Sequence, residues 1–135
     1  MISKLMLFSL FVSISNVYSM TEYQDKVKPL IQKNCLSCHG NYYLETWYRE
    51  LPIAKQIINY HIQDAKKHLD MRDDSFFKSK GSQSDIYWSI AKSIESKRMP
   101  PNYFSIFHSN LKFNEKDQLF LINWFKKKSK ELSDE

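Results

Sequence analysis

Two cysteines and a histidine stand together in the short segment Cys35-Leu36-Ser37-Cys38-His39, and the chain has no other cysteine. Residues three positions apart on a helical turn project to one side, so both thiols can reach one planar group. The C-x-x-C-H pattern is typical of sites where a haem is attached through two thioethers. The adjoining imidazole then binds the iron as the proximal ligand. The sequence therefore predicts one covalently attached haem c at Cys35, Cys38 and His39.

Two other uses of paired cysteines stay open from the residues alone. A zinc site needs four ligands, and there is no second cysteine pair, although the four histidines could contribute. A thioredoxin-type redox pair also uses C-x-x-C, but it normally accompanies a βαβ pattern that this sequence lacks. A disulfide between Cys35 and Cys38 would close a very small loop and add little stability. Haem attachment accounts best for the pair.

A haem iron held by a histidine has a sixth position on its other face. The candidates are Met99, His61, His68 and His108. Methionine paired with histidine raises the reduction potential of the iron, which suits an electron carrier. Met99 precedes two prolines that stiffen its loop, so it is the predicted distal ligand. His61 is the second choice, and the other two histidines are interpreted as surface or capping groups.

The segments around the motif have helical spacing. Thr21 is the predicted N-cap of a first helix that carries an apolar face and leads into Cys35. Pro29 lies inside this pattern and is expected to kink the helix or to move its start. A second helix begins at Leu51-Pro52, because proline suits the first helical turn. Its apolar face includes four residues at every fourth position, which are Ile53, Ile57, His61 and Ala65.

The second half of the chain predicts two more helices. The polar segment Asp70 to Ser84 indicates a surface loop. Ser84 or Asp85 is the predicted cap of a third helix, which must end before the Met99-Pro100-Pro101 segment. Asn114 opens a last helix, since acidic residues follow it in the first turn. The expected closing residues of that helix are Lys126, Lys127, Lys128 and Lys130. The prediction is an all-α domain of about four helices packed around one haem.

The N-terminus has the pattern of a secretory signal. A single lysine, Lys4, precedes an apolar run that is too short to cross a bilayer, and Val17-Tyr18-Ser19 suits a signal peptidase. We therefore expect residues 1–19 to be a signal peptide and residues 20–135 to form one domain. The predicted location is the periplasm, without a transmembrane anchor after cleavage. The alternative is an uncleaved N-terminal anchor.

With these residues established, the chain resembles the bacterial haem-binding domain family of small exported monohaem c-type cytochromes. The likeness runs from about Val27 to Trp124. It rests on NCLSCHG, on Trp47-Tyr48, on IINYHIQDAKKHLD and on the ordered segment RMPPNYFSIFHSNLKFNEKDQLFLINW. The resemblance implies a cytochrome c-like fold, with Met99 as the distal ligand. Three positions depart from the family pattern, namely Thr46, Ala65 and Ser109.

These features predict one-electron transfer between unidentified redox partner proteins, not catalysis. An iron with both axial positions filled offers a substrate no open site. The formal charge of +5 is modest, and an exported haem protein is not expected to bind nucleic acid. The alternative function is a ligand-binding sensor or a haem enzyme subunit with an open or displaceable distal position.

Overall fold

Six α-helices make up most of the chain that the computed structural model describes, namely residues 21–41, 47–73, 81–107 and 113–134. No β-strand occurs in these ranges, and none of their helices is long and apolar enough to cross a membrane. The predicted all-α fold is confirmed. The helices are α1 (Lys28–Asn34), α2 (Leu36–His39), α3 (Pro52–His68), α4 (Gln83–Glu95), α5 (Asn102–Phe107) and α6 (Glu115–Ser133).

The segment before the cysteine motif changes its winding where proline requires it. Tyr23–Val27 forms a π-helix, and the regular α1 helix begins at Lys28. Pro29 has no N–H to donate to the preceding turn, so the wider winding falls where a backbone bond is missing. Residues 21–34 are helical without a break, so Pro29 coincides with a change of winding and does not displace the start, and Thr21, the predicted N-cap, lies within the helical segment. Val27 and Ile31 share the buried face of this segment.

The core lies mainly between α4 and α6. Their facing sides contribute apolar residues at helical spacing, and Leu121 and Phe125 are almost completely buried. Tyr87 and Trp124 add aromatic contacts, with their ring centroids 6.2 Å apart. Trp124 also lies 5.9 Å from the ring of Tyr23, which ties the N-terminal segment to α6. The core residues of the pair are Tyr87, Ile90, Ala91 and Ile94 from α4, and Leu121, Ile122, Trp124 and Phe125 from α6.

Two serines link α4 to α6 through reciprocal hydrogen bonds. Ser84 Oγ donates to the Ser129 carbonyl and Ser129 Oγ donates to the Ser84 carbonyl, each over 2.8 Å. The predicted N-cap of α4, Ser84 or Asp85, is therefore wrong. Ser84 bonds to α6 instead, and the N-cap is Ser82. The Ser82 hydroxyl accepts the Asp85 N–H at 3.2 Å. Asn114 caps α6 as predicted, since its Oδ1 accepts the Asp117 N–H at 2.8 Å.

Helix α3 has a different character from the α4 and α6 pair. It begins at Pro52, as predicted, but none of its residues is buried. It packs against α2 and against the 3₁₀ turn Trp47–Glu50. The side chains of Ile53 and Tyr60 are 76% and 68% exposed, which is unusual for apolar groups of this size. The position of α3 therefore depends on its contacts with the motif, not on a core of its own.

Helix α5 was not predicted. The two prolines after Met99 were expected to stiffen a loop, but the chain turns into a helix directly after Pro101. The Phe104 N–H donates to the Pro101 carbonyl at 2.9 Å, and the Phe104 side chain is buried. Proline is compatible with a helix that follows it, because only the residue before a proline is restrained from helical geometry.

Candidate functional site

The cysteine motif folds as a tight turn that continues the first helix. The Cys35 N–H donates to the Ile31 carbonyl at 2.8 Å, and the His39 N–H donates to the Cys35 carbonyl at 2.9 Å. The Cys38 N–H also donates to the Cys35 carbonyl, at 3.2 Å. These bonds place the two cysteines one helical turn apart, so both thiols project to the same side of the chain.

Neither Cys35 nor Cys38 forms a disulfide, and both residues are partly buried. Burial, followed by the nearby charge of Cys38, raises the pKa of the Cys35 thiol to about 12. Cys35 therefore stays protonated at neutral pH. The Ser37 hydroxyl lies 3.9 Å from Cys38 Sγ and can donate a weak hydrogen bond to it. The two sulfurs thus occupy different electrostatic surroundings on the same turn.

The segment after α3 holds His39 at two points. Its Nδ1 lies 2.8 Å from the Leu69 carbonyl oxygen, and its own carbonyl accepts the Met71 N–H at 2.8 Å. A carbonyl can only accept, so Nδ1 must carry the proton and donate it. In the neutral imidazole, Nε2 is then the nitrogen with a lone pair available for a metal ion. Hydrogen bonding of one ring nitrogen to fix the other is the usual arrangement of metal-binding histidines.

Tyr103 of α5 contacts the helix that packs against this turn. Its ring centroid is 5.2 Å from that of His61 on α3, which joins α5 to α3. Helix α3 in turn packs against α2 of the motif. Burial raises the pKa of the Tyr103 hydroxyl, with smaller effects from charges at Cys38 and Asp64.

The comparisons with known proteins bear on what this site holds. The sequence matches the family of haem-binding domains over residues 10–127, which is most of the chain. The chain belongs to the haem-binding domain family. This match confirms the predicted haem cofactor at the level of haem binding. The searches of curated proteins and of solved structures gave no match.

The residues of this haem-binding domain fit the cofactor that the family implies. A haem needs a metal ligand and a broad apolar surface, and a c-type haem also needs two thiols on one side. The motif provides the thiols and an imidazole whose Nδ1 is already hydrogen-bonded, which leaves Nε2 for the iron. Helix α3, which packs against α2, and α5, which contacts α3, carry exposed apolar side chains, which are Ile53, Ile57 and Tyr60 on α3 and Tyr103 on α5. Cys35, Cys38 and His39 would hold the haem.

The predicted distal ligand, Met99, lies between α4 and α5. Its N–H donates to the Ser93 carbonyl at 3.1 Å, and its side chain is 41% exposed. Four residues further along the chain, Tyr103 contacts His61 on α3. The segment that starts at Met99 thus leads to the helix that packs against α2 of the motif. Iron ligation by Met99 stays a prediction.

The candidate histidines have separate surroundings. His61 is half-buried and its ring contacts Tyr60 and Tyr103, so packing accounts for its position. His68 lies near the end of α3, exposed, with Nδ1 2.9 Å from the Asp64 carbonyl. His108 lies outside the described residues. Within the described ranges, no group of three or more His, Cys, Asp or Glu side chains is arranged to hold a metal ion.

Several residues of this site were not predicted from the sequence. Leu69 and Met71 contact His39 through their main chains, so their side-chain types give no signal. Tyr103 belongs to α5, the helix that was not predicted. Gly40 was also missed, although a glycine directly after a helical turn is a signal that could have found it, because a side chain there would meet Leu36.

Proposed function

We propose that this haem-binding domain is an exported monohaem c-type cytochrome that transfers single electrons between redox proteins. Cys35 and Cys38 would attach the haem through thioethers, and His39 and Met99 would bind its iron. Thioether formation from a thiol and a vinyl group is an addition, so it would consume no oxidant. The bound iron supplies a centre that changes its charge by one electron.

The observation that carries the proposal is the fixed orientation of His39. Its Nδ1 donates to the Leu69 carbonyl, so Nε2 is the nitrogen that can bind iron without rotation of the ring. A ligand held in this way need not reorganise when the iron gains or loses an electron. A rigid coordination sphere supports electron transfer more than substrate chemistry.

The restrained main chain of Met99, the proposed second iron ligand, supports the same function. The carbonyl of Ser93 accepts the Met99 N–H, and prolines follow at residues 100 and 101, so its main chain is restrained. A thioether ligand raises the reduction potential and closes the sixth position. By contrast, the ring contacts of His61 already account for that side chain.

The first experiment tests covalent attachment. The protein is produced in cells competent in cytochrome maturation, denatured and stained for haem after gel electrophoresis. We expect strong staining of the wild type, weaker staining of Cys35→Ser and Cys38→Ser, and none of the double variant. Haem that leaves the denatured wild type would contradict the c-type proposal while leaving haem binding intact.

The second experiment tests the distal ligand by optical spectroscopy. An oxidised His/Met haem has a weak far-red band from charge transfer between sulfur and iron, which Met99→Ala should abolish and His61→Ala should retain. Met71→Leu is the matched control, because Met71 is buried and the exchange conserves its volume. Carbon monoxide should bind poorly to the reduced wild type. Absence of the band from the wild type, with ready binding of carbon monoxide, would support the ligand-binding alternative.

Export is tested by mass spectrometry of the periplasmic fraction. The signal sequence, residues 1–19, lies outside the described residues, so its removal stays a prediction. We expect a mature chain that begins at Met20 and carries one haem. A membrane-bound full-length chain would indicate a retained anchor.

A further inference from the structure

A tryptophan stands exposed on the outer side of α4, flanked by lysines from two helices. Trp88 is 48% exposed. The ammonium group of Lys92 lies 5.4 Å from its ring centroid, and that of Lys126, from α6, lies 5.7 Å away. Both distances are in the range of cation–π attraction. Trp88, Lys92, Lys126 and the carboxylate of Glu95 are called the Trp88 patch below.

Glu95 holds both lysines in place. Its two carboxylate oxygens accept hydrogen bonds from Lys92 at 2.8 Å and from Lys126 at 2.6 Å. These bonds, with that from Lys126 the stronger influence, lower the pKa of Glu95 to about 2. The ammonium groups are therefore ordered around the indole before any partner arrives. Preordered side chains lose less conformational entropy on binding than free ones do.

Two further cationic residues precede the predicted iron ligand in the chain. Lys97 and Arg98 follow α4, and both are exposed. The Ser93 carbonyl accepts the N–H groups of both Arg98 and Met99, at 3.0 and 3.1 Å. The chain thus folds back against the last turns of α4, the helix that carries Trp88 and Lys92.

We propose that the Trp88 patch is the docking surface for an acidic redox partner protein. This inference rests on the proposed electron-transfer function. Tryptophan is among the residues most enriched at the centres of protein interfaces, and a cationic surface favours an acidic partner. A membrane is a poorer match, because a membrane-binding helix needs a continuous apolar face. A partner bound here would approach the haem from the side of Met99.

Poly-L-glutamate serves as the probe for acidic surfaces, with binding to the haem-loaded protein measured by calorimetry at low ionic strength. We expect the double variant Lys92→Gln/Lys126→Gln to bind about tenfold more weakly than the wild type. Trp88→Ala should also weaken binding, although it changes no charge. The matched control is Lys26→Gln/Lys116→Gln, which removes two exposed lysines outside the patch. It should retain most of the wild-type affinity.

Three outcomes would overturn the docking proposal: equal losses in both double variants, an unchanged affinity in Trp88→Ala, or preferential binding of anionic phosphatidylglycerol vesicles through Trp88. The first indicates attraction by net charge alone, and the last indicates a membrane surface. The reduction potential of every variant is measured in parallel. A reversible one-electron couple without selective binding refutes the docking surface alone, whereas the absence of such a couple refutes the electron-transfer function.

Discussion

At the scale of single residues, the turn that holds His39 depends on the missing side chain of Gly40. A Cβ at this buried position would lie 2.7 Å from Leu36 Cδ2 and 3.0 Å from Leu36 Cβ. Both distances are shorter than ordinary contacts. We expect Gly40→Ala to lower the free energy of unfolding by about 1–2 kcal/mol, as overpacking does. Denaturant titration of the haem-loaded protein measures the change.

The cause of that loss can be isolated with a second substitution. Leu36→Ala removes the Cδ2 atom that the new Cβ would meet, so Gly40→Ala should cost less in this background. An equal cost in both backgrounds would show that the clash with Leu36 Cδ2 is not responsible. Haem staining of the denatured variants tells whether attachment survives.

The sequence predicted the chemical groups of the site but not what orients them. Cys35, Cys38 and His39 are recognisable because they are adjacent in the chain and their spacing has one common use. The hydrogen bond from His39 to the Leu69 carbonyl spans thirty residues and uses a main-chain acceptor. Every residue has such a carbonyl, so no side-chain pattern could have indicated it.

At the scale of the elements, the reciprocal serine bonds fix α4 against α6. Ser129 is 7% exposed, so removing its hydroxyl leaves the Ser84 carbonyl without this donor. We expect Ser129→Ala to lower the free energy of unfolding by about 1 kcal/mol. Ser133→Ala is the control, since the Ser133 hydroxyl bonds only within α6, to the Lys130 carbonyl at 2.8 Å. Equal losses in the two variants would contradict a specific role for the serine pair.

The ion pairs of Glu95 connect the same two helices and make their stability depend on pH. Because hydrogen bonds from Lys126 and Lys92 hold the folded-state pKa of Glu95 below its ordinary value, its carboxylate stabilises the fold above about pH 4.5. This contribution is lost as pH falls from about 4.5 to about 2. We expect Glu95→Gln to have a lower melting temperature than the wild type at neutral pH, with the difference vanishing in acid.

Thermal unfolding across that pH range gives the melting temperatures of both proteins. Hydrogen bonds from Arg72 lower the pKa of Asp70 to about 2, so the contribution of Asp70 to stability is also lost on acidification, in wild type and variant alike. Only the difference between wild type and variant therefore reports on Glu95. A difference that persists in acid would mean that the charge of Glu95 is not responsible.

Sequence patterns located the long elements better than their boundaries. Pro52 and Asn114 opened helices as predicted, because each satisfies a local backbone requirement. The predicted start of α4 was wrong, because its N-cap is Ser82 and not Ser84 or Asp85. Ser82 and Ser84 are both suitable caps, and a long-range partner on α6 recruits Ser84 instead. Local rules cannot decide between two equivalent residues when a distant helix takes one of them.

At the scale of the whole molecule, the buried core supports the cysteine motif but not α3, since Cys35 and Leu36 pack against the core. Helices α4 and α6 share most of the fully buried side chains, whereas α3 buries none within the described structure. Helix α3, which carries exposed apolar residues, packs against α2 of the motif instead. Stability is therefore expected to be uneven, since local opening follows the density of buried contacts.

Hydrogen exchange should reveal this division in protein that lacks haem. In a haem-free Cys35→Ala/Cys38→Ala variant, we expect the amides of α6 to exchange at least about tenfold more slowly than those of α3. Haem in the wild type should slow exchange in α3 and change α6 little, because a ligand protects mainly the segments that contact it. Mass spectrometry of peptides from the two helices measures both rates. Equal protection of α3 and α6 in the haem-free variant would show that the fold opens as one unit and that α3 does not depend on the cofactor.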